Sequence, residues 1–457
     1  MQLVELKLLH LPEHGRVISS ERGIGANCLV INPDAQPLLS VSAARARLLQ
    51  RFSSLPVEQA PLSAAGGRVL AQDLHAAIDL PPFANSSMDG FAVRTADIRL
   101  ARSDQPVCLR VVADIPAGKA AERHLGEGEA IRIMTGAPVP FGADAVVPVE
   151  HTDFHDRSAG LPAPAIVCIS QSRAPGDYIR VQGEDVHSGE LVLEAGRVLR
   201  PVEIGFLSML GIAEVPVHRR ARVAIFSTGD ELLPADKPLT PGMIHDANSY
   251  TLAGLVQEAG AEPVQLGIIP DDIQAVRHAL QQAVDLGVDL ILSSAGVSVG
   301  AFDFVRKVVE EHGELDFWRV NMRPGKPLAF GSYQNLPFVG LPGNPVSAYI
   351  GFLVFVRPAI WKMNGLPDSS AHHAIRVEMD EPVESDGRES YLRAVVSLPD
   401  DPAQGQLPKA RLASHQGSGN LRSLVLANAL LIIPSGVKSV PAGTMVHAWM
   451  LGDYQSE

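Results

Sequence analysis

The chain has 457 residues, 46% hydrophobic and 19% charged, with a formal net charge of −13; at roughly 150 residues per domain, about three domains of ordinary folded composition are predicted. The acidic balance argues against nucleic acid as a bulk partner, because a phosphate backbone needs a basic face, but leaves a small anionic ligand open, since distant charge is screened beyond about 8 Å. No apolar run approaches the ~18 residues of a membrane span, and residues 1–37 lack a basic stretch followed by an apolar one, so neither membrane nor secretion is expected.

Residues 1–37 hold Gly23, Gly25, Asn32, Pro33 and Pro37 without a sustained period and read as an appended, partly ordered tail. Cys28, Cys108 and Cys168 are few, odd in number and far apart, which predicts no disulfide framework, no Cys-x-x-Cys metal site and a reducing cytoplasm. From Ser40 a helical pattern (Ala44, Leu48, Leu49, Phe52) is followed by a short helix over 62–70 and a break at Leu80-Pro81-Pro82. Residues 83–180 alternate β-prone runs, such as Ile131-Arg132-Ile133-Met134 and Ala145-Val146-Val147-Pro148-Val149, with turn clusters. They predict an all-β module. A helix over 201–210, with Pro201 first and Gly211 just past its end, should pack with the early helix. The β module is then an insertion at 81–180, between two parts of a linking domain at 38–80 and 181–218.

The α/β unit, over 219–366, begins with Arg222-Val223-Ala224-Ile225-Phe226, a strand ending at Ser227-Thr228-Gly229-Asp230-Glu231. A helix over 250–259 stops at Gly260, and a strand over 263–269 ends at Pro270-Asp271-Asp272, where either Asp can cap the next helix. Three further apolar runs stop at marked turns. They are 288–294 before Ala295-Gly296-Val297-Ser298-Val299-Gly300, 317–322 before Arg323-Pro324-Gly325-Lys326, and 336–340 before Leu341-Pro342-Gly343-Asn344-Pro345-Val346-Ser347. Strands that end this way predict a doubly wound α/β unit whose ligand crevice lies beyond their carboxyl ends. The helix over 345–361 is apolar nearly all round and must be buried in the domain or against another subunit. Residues 371–455 return to short strands, a small C-terminal β domain. The whole is a mixed α/β and β multidomain fold.

The turns hold the candidates for chemistry. Gly343-Asn344-Pro345-Val346-Ser347 places a capping Asn and a first-turn Pro directly after a strand; it reads as a plain capped helix or as an anion site on free N–H groups. Arg319, Arg323 and Lys326 surround the end of a neighbouring strand, and alternation over 318–323 puts Arg319 and Arg323 on one side. Two guanidiniums on one face suit a tetrahedral oxyanion or a phosphate chain; solvated surface arginines are the alternative. Asp89, Asp185, Glu231, Asp271, Asp272 and Asp303 each lie in or beside a Gly- or Pro-marked turn. Carboxylates around an anion need a divalent cation between, and Mg²⁺ takes one or two carboxylates plus substrate phosphates. Asp272 and Asp303 are also natural helix caps. Gly296-Val297-Ser298-Val299-Gly300 matches a nucleophile elbow, so a serine hydrolase using Ser298 is an alternative. Of its downstream histidines, His312, His372, His373, His415 and His447, all but the first fall outside the α/β unit. The loop reads better as a wrap around a ligand through backbone groups and the Ser298 hydroxyl.

Seven motifs stand in one order: Asn85-Ser86-Ser87-Met88-Asp89-Gly90-Phe91-Ala92, Arg132-Ile133-Met134-Thr135-Gly136-Ala137-Pro138, Gly183-Glu184-Asp185, Ser227-Thr228-Gly229-Asp230-Glu231-Leu232, Ser298-Val299-Gly300 with Asp303, Arg323-Pro324-Gly325-Lys326-Pro327, and Leu341 to Ser347. Over about residues 38–455 the chain thereby resembles the molybdopterin molybdenumtransferases, which insert molybdenum in molybdenum-cofactor synthesis and include the E domain of gephyrin. The resemblance implies an elongated, four-domain, homodimeric subunit with a molybdopterin-binding α/β domain and a small β-barrel-like C-terminal domain. Its pocket would take adenylylated molybdopterin and molybdate and, with Mg²⁺, release AMP and the metallated cofactor. A molybdopterin adenylyltransferase and molybdoenzyme acceptors are the implied partners.

The resemblance also implies roles. Asp89, Thr135, Arg180 and Asp185 would lie on the β module and its hinge and reach the partner subunit's pocket. Glu231, Asp271, Asp303, Arg319, Arg323, Lys326, Pro342 and Pro345 would line the pocket, with Ser298, Gly300, Gly343, Asn344 and Ser347 as ligand contacts. Arg319, Arg323 and Lys326 would hold molybdate while Mg²⁺ on Glu231, Asp271 or Asp303 polarises the phosphoanhydride. Ala295 stands where a second Gly is usual, Arg323 replaces a common Lys, and His245 a common Tyr. A non-catalytic binding or scaffold paralogue is the other reading. A pure binder of a polyanion, however, gains nothing from several pocket carboxylates.

Overall fold

The computed structural model describes residues 38–119, 122–155, 162–295, 301–366, 374–399 and 407–452. The helix Val41–Leu49 starts on Ser40, whose hydroxyl accepts from the Ala43 amide, and turns Val41, Ala44 and Leu48 inward. The helix expected over 62–70 is only Leu62–Ala65. Gly66 and Gly67 end it, Gly67 at φ 72, and Val69 and Leu70 bridge instead to Val198 and Val217. Strand Val57–Pro61 pairs antiparallel with Glu214–His218. The segments before and after the β module therefore share a core that includes Leu70, Leu199, Leu207 and Val217. Helix Pro201–Met209 supplies Leu207, and its buried Glu203 accepts from the Arg200 amide and from the Arg197 and Arg200 guanidiniums.

The β module is a five-stranded sheet in the spatial order Ala145–Pro148, Gly90–Val93, Glu129–Ile133, Val107–Ile115, Ile166–Ile169. Its strands close up tightly at Gly90, where a Cβ would lie 2.0 Å from the Val147 carbonyl oxygen. Cys108 stands opposite Cys168 across two antiparallel strands, and the two form a disulfide. This corrects the expectation of no disulfide: a sequence separation of 60 hides the fact that strand pairing makes them neighbours.

The α/β domain is built on a six-stranded sheet in the order Glu262–Ile269, Arg222–Thr228, Leu290–Ala295, Leu336–Pro342, Pro327–Tyr333, Gly313–Arg319. The first four strands run parallel, Pro327–Tyr333 runs antiparallel to them, and Gly313–Arg319, antiparallel to Pro327–Tyr333, runs in the same direction as the first four. From Arg222–Thr228 the chain goes first to one side and then to the other, so the switch point, where such sheets bind ligands, lies between that strand and Leu290–Ala295. Helices Ile273–Asp285 and Ala301–His312 contribute Val276, Leu280, Val305 and Val308 to the core on one face. Helix Asn248–Glu258 and the long helical run from Pro345 cover the other. Asp272 caps Ile273–Asp285 by accepting from the Gln274 and Ala275 amides.

Two expectations are corrected here. The run 317–322 is not one strand: it stops at Arg319, the Met322 amide bonds the Val320 carbonyl, and Met322–Arg323 starts again against a different sheet. The alternation that put Arg319 and Arg323 on one face is therefore broken. An apolar stretch of membrane-spanning length also exists. Residues Pro345–Met363 form a 19-residue helical run of mean hydropathy 1.3 with a π turn at Phe352–Val356, but 78% of it is buried inside the fold. It is a core helix, packed with Ile225, Leu252 and Val256.

In the C-terminal domain, strands Glu389–Ser397, Lys409–Leu412, Ala374–Met379, Met445–Met450 and Ala429–Ile433 pair in turn, and the last pairs with the first, closing a five-stranded barrel. Met322–Arg323 adds to its Glu389–Ser390 edge and couples the barrel to the α/β domain.

Candidate active site

The strand register brings the turns to one edge of the α/β sheet. Ile269 is level with Thr228, Thr228 with Ala295, and Ala295 with Pro342. Ala329 pairs with Gly340 and Arg319 with Pro327, so the start of the reversed strand Pro327–Tyr333 and the end of Gly313–Arg319 lie at that same edge. Neighbouring strands lie about 4.8 Å apart, so the acids after Thr228 and the cations before Pro327 are separated by three strand steps, about 14 Å.

At one end of this edge, Asp230, Glu231 and Asp271 gather. Gly229 makes the turn at φ 148, and a Cβ there would meet Glu231 Oε2 at 2.6 Å. The Asp271 amide donates to Asp230 Oδ1 at 3.1 Å. Burial, then the charges of Asp230 and Glu231, push the Asp271 carboxyl above its ordinary range, and its Oδ1 is buried without a partner. Among the described residues no three His, Cys, Asp or Glu side chains converge to hold a metal by themselves. That donor set suits a hard cation that takes one or two carboxylates and completes its shell with phosphate and water.

At the other end the field reverses. The Arg323 and Lys326 side chains are half-buried and have no hydrogen-bond or ion-pair partner among the described residues. Arg319 is half-buried beside them, its strand tied to theirs by the bond from the Val320 amide to the Lys326 carbonyl at 2.7 Å. From the barrel comes Arg393, which is 0% exposed. Its Nε donates to Ser423 Oγ at 2.9 Å and its Nη2 to the Gly417 carbonyl at 3.0 Å, while Nη1 is buried without a partner. Burial, then the neighbouring Arg323, lowers this guanidinium to about 10. Sequence reasoning missed Arg393; an arginine inside the apolar run Tyr391-Leu392-Arg393-Ala394-Val395-Val396 was the available signal.

Between the two ends lie the end of strand Leu290–Ala295 and the turn Pro342-Gly343-Asn344-Pro345. Ser298 and Gly300 lie outside the described residues, as does the side chain of Asp303. Asn344 does not cap the following helix through its side chain; its carbonyl accepts from the Ala348 amide instead. The Val346 amide is already taken by the Ser418 carbonyl of the barrel at 3.1 Å, so that N–H is not free for an anion. Ser347 is buried at this helix start.

Beneath these turns runs a polar network that the sequence reading also missed by starting the helix at 250. The buried Asp246 carboxylate accepts from Ser227 Oγ at 3.1 Å, from the Asn248 and Ser249 amides at 3.0 and 3.2 Å, and from Ser249 Oγ. Asn248 Nδ2 donates to Ser294 Oγ at 2.6 Å and to the Gly343 carbonyl at 2.8 Å. Among the described residues seven buried polar side-chain atoms lack a partner, and five of them belong to Thr228, Asn248, Asp271, Ser293 and Arg393, at or just beneath this edge. Each such atom costs about 1–3 kcal/mol unless something pairs with it. Such atoms are normally paired by ordered water, an ion or a ligand.

A second polar cluster sits on the β module. Asp89 Oδ1 accepts from the Thr135 amide and from Thr135 Oγ1, both at 2.7 Å. Arg180 Nη2 donates to Asp185 Oδ2 at 2.5 Å, and the Asp185 partner raises the guanidinium above its ordinary range. Strand Asn85–Ser86 pairs with Ile179–Arg180, and the Gly136 amide bonds the Ser86 carbonyl, so all four residues share one exposed region.

The fold and this edge define a multidomain protein whose doubly wound α/β domain gathers acidic and basic turns along one sheet edge. Residues 39–211 match the model for the MoeA N-terminal region (domain I and II), 224–362 that of a probable molybdopterin binding domain, and 376–451 that of the MoeA C-terminal region (domain IV). Molybdopterin molybdenumtransferase 2 of Mycobacterium tuberculosis (strain ATCC 25618 / H37Rv) is 42% identical over 399 residues, 86% of this chain and 94% of the relative. The molybdopterin molybdenumtransferase of Nostoc sp. is 38% identical over 396 residues, 86% and 88% of the two chains. The crystal structure of the molybdopterin biosynthesis moeA protein from Pyrococcus horikoshii OT3 superimposes with a TM-score of 0.71 at 30% identity, covering 91% of this chain and 100% of that one. The chain belongs to the molybdopterin molybdenumtransferase family, a family of transferases.

Proposed function

We propose that this protein acts in molybdenum-cofactor biosynthesis, inserting molybdenum from molybdate into adenylylated molybdopterin with release of AMP. The observation that carries this reading is the single sheet edge with acids at one end and cations about 14 Å away, a span that suits a pterin joined through phosphates to an adenylate. Arg319, Arg323, Lys326 and the unpartnered Nη1 of Arg393 would hold the tetrahedral oxyanion by charge-assisted hydrogen bonds. The turn at Pro342, Gly343, Asn344, Pro345 and Ser347, with Ser298 and Gly300, would seat the pterin phosphate.

Glu231 and Asp271, joined by Asp303, would hold Mg²⁺, whose chemistry is to neutralise charge on the phosphoanhydride. The orphaned, raised-pKa carboxyl of Asp271 supports that assignment, since a cation beside it would restore the charged form. The chain's own residues act by positioning: they fix the oxyanion and the phosphates relative to one another and keep both signs of charge in place before the substrate arrives.

We also propose a cytoplasmic homodimer in which Asp89, Thr135, Arg180 and Asp185 of one subunit complete the crevice of the other. A polar cluster this exposed, with Asp89 pre-oriented by Thr135, supports a role facing a partner's ligand. A molybdopterin adenylyltransferase would supply the substrate and molybdoenzymes would receive the product. The test is to incubate purified protein with adenylylated molybdopterin, Mg²⁺ and molybdate; AMP that appears only when molybdate is present supports the reading, and AMP release indifferent to molybdate refutes it.

A further inference from the structure

Asn248 is the first residue of its helix and is 9% exposed. Its Nδ2 spends both hydrogens on acceptors from two different strands, Ser294 Oγ near the end of Leu290–Ala295 and the Gly343 carbonyl just after Leu336–Pro342. Its neighbour Asp246 binds Ser227 near the end of a third strand. The helix start and the residue two positions before it thus tie three neighbouring strands together near their carboxyl ends.

The strands do not need this grip to stay paired. The ladder between Leu290–Ala295 and Leu336–Pro342 is complete through Ala295 and Pro342. The Gly343 carbonyl lies one residue beyond the last ladder pair, where the sheet no longer fixes the chain. The carboxamide is also used at one end only, since its Oδ1 is buried without a partner. An apolar residue would avoid that penalty if packing were the whole purpose. What the position requires is a neutral donor with two hydrogens, which Asp lacks at neutral pH and Ser has only in half.

We propose that Asn248 is a positioning residue for the insertion reaction: it sets the Gly343–Pro345 turn at a fixed height against the end of the Leu290–Ala295 strand, without itself touching substrate. This rests on the function proposed above, and it adds a residue to which no part of that reading assigns a role. A displacement near 1 Å at a reacting site costs on the order of a hundredfold in rate, so loss of the tie should appear in kcat far more than in binding.

The experiment compares parent, Asn248→Ala and Asn248→Asp by thermal melting, by amide exchange over residues 341–348, and by molybdate-dependent AMP release from adenylylated molybdopterin with Mg²⁺. Asn248→Ala is expected to keep its melting midpoint within a few degrees, to speed exchange over 341–348 about tenfold, and to lower kcat about 100-fold with KM changed less than threefold. Asn248→Asp should behave like the alanine variant at pH 8 and regain about tenfold relative to parent near pH 5, because burial beside the Asp246 carboxylate raises the introduced carboxyl and its protonated form donates again. Unchanged exchange over 341–348, a kcat within threefold of parent, or an Asp-to-parent ratio flat with pH would overturn the proposal. Should the parent itself release no AMP, the proposed function fails, and the exchange measurement alone decides whether Asn248 orders the turn.

Discussion

Arg393 offers the sharpest perturbation, because its three nitrogens have separable tasks. Nε and Nη2 hold Ser423 and the Gly417 carbonyl, while Nη1 is buried with no partner and Arg323 is near enough for its charge to lower the guanidinium. Arg393→Lys keeps the charge but removes the fork, so an oxyanion would lose one charge-assisted hydrogen bond. Such a bond is worth about 1.5–3 kcal/mol, which corresponds to roughly a 10- to 150-fold rise in the molybdate concentration at half-maximal rate. Ser423→Ala is the control, since it removes the Nε partner and leaves Nη1 in place. Molybdate titrations of AMP release should show the large shift in Arg393→Lys and a shift under threefold in Ser423→Ala. Equal shifts in the two variants would show that only the barrel loop mattered, and an unchanged Arg393→Lys titration would refute the oxyanion role.

Asp271→Asn should cut AMP release at least about 100-fold while leaving the melting midpoint no lower, because the parent carboxylate faces Asp230 and Glu231 across a partly buried gap. Glu203→Gln should destabilise the linking domain by about 1–3 kcal/mol at pH 7 in urea unfolding. Arg200, then Arg197, lowers the Glu203 carboxyl to about 2 from an ordinary 4.5. A depressed folded pKa stabilises above the unfolded value and is lost as pH falls through the folded one, so the gap between parent and variant should shrink from about pH 4.5 towards pH 2. A gap that stays constant over that window contradicts the assignment. Mixing Asp89→Asn with Lys326→Ala subunits should restore about a quarter of parental AMP release, since half the dimers are mixed and each carries one intact site; no recovery would mean each subunit completes its own site.

Much of this architecture was legible because its signals are local. Gly, Pro and Asp after each apolar run mark strand exits, and the crevice assembled from those turns follows from strand polarity alone. Asp272 shows the same directness, a predicted cap that accepts two first-turn amides. What failed was long-range. Cys108 and Cys168 meet only because two strands of the β module are adjacent. The single strand expected through Arg319 and Arg323 breaks at Val320 because Met322–Arg323 is recruited by the barrel, a domain some 60 residues further on. Arg393 reaches the crevice by that same junction, and no spacing rule connects it to Arg323. Asn344 has the composition of a cap, yet the barrel's Ser418 carbonyl answers the Val346 amide instead.

The most direct measurement is metal transfer itself. Protein, adenylylated molybdopterin, Mg²⁺ and molybdate are incubated together, and the mixture is added to a molybdenum enzyme prepared without its cofactor. The crevice described here predicts that activity appears only when protein, adenylylated pterin and molybdate are all present, in amounts matching the AMP released. AMP release without any activation, or activation that proceeds equally well without the protein, would contradict molybdenum insertion at this site.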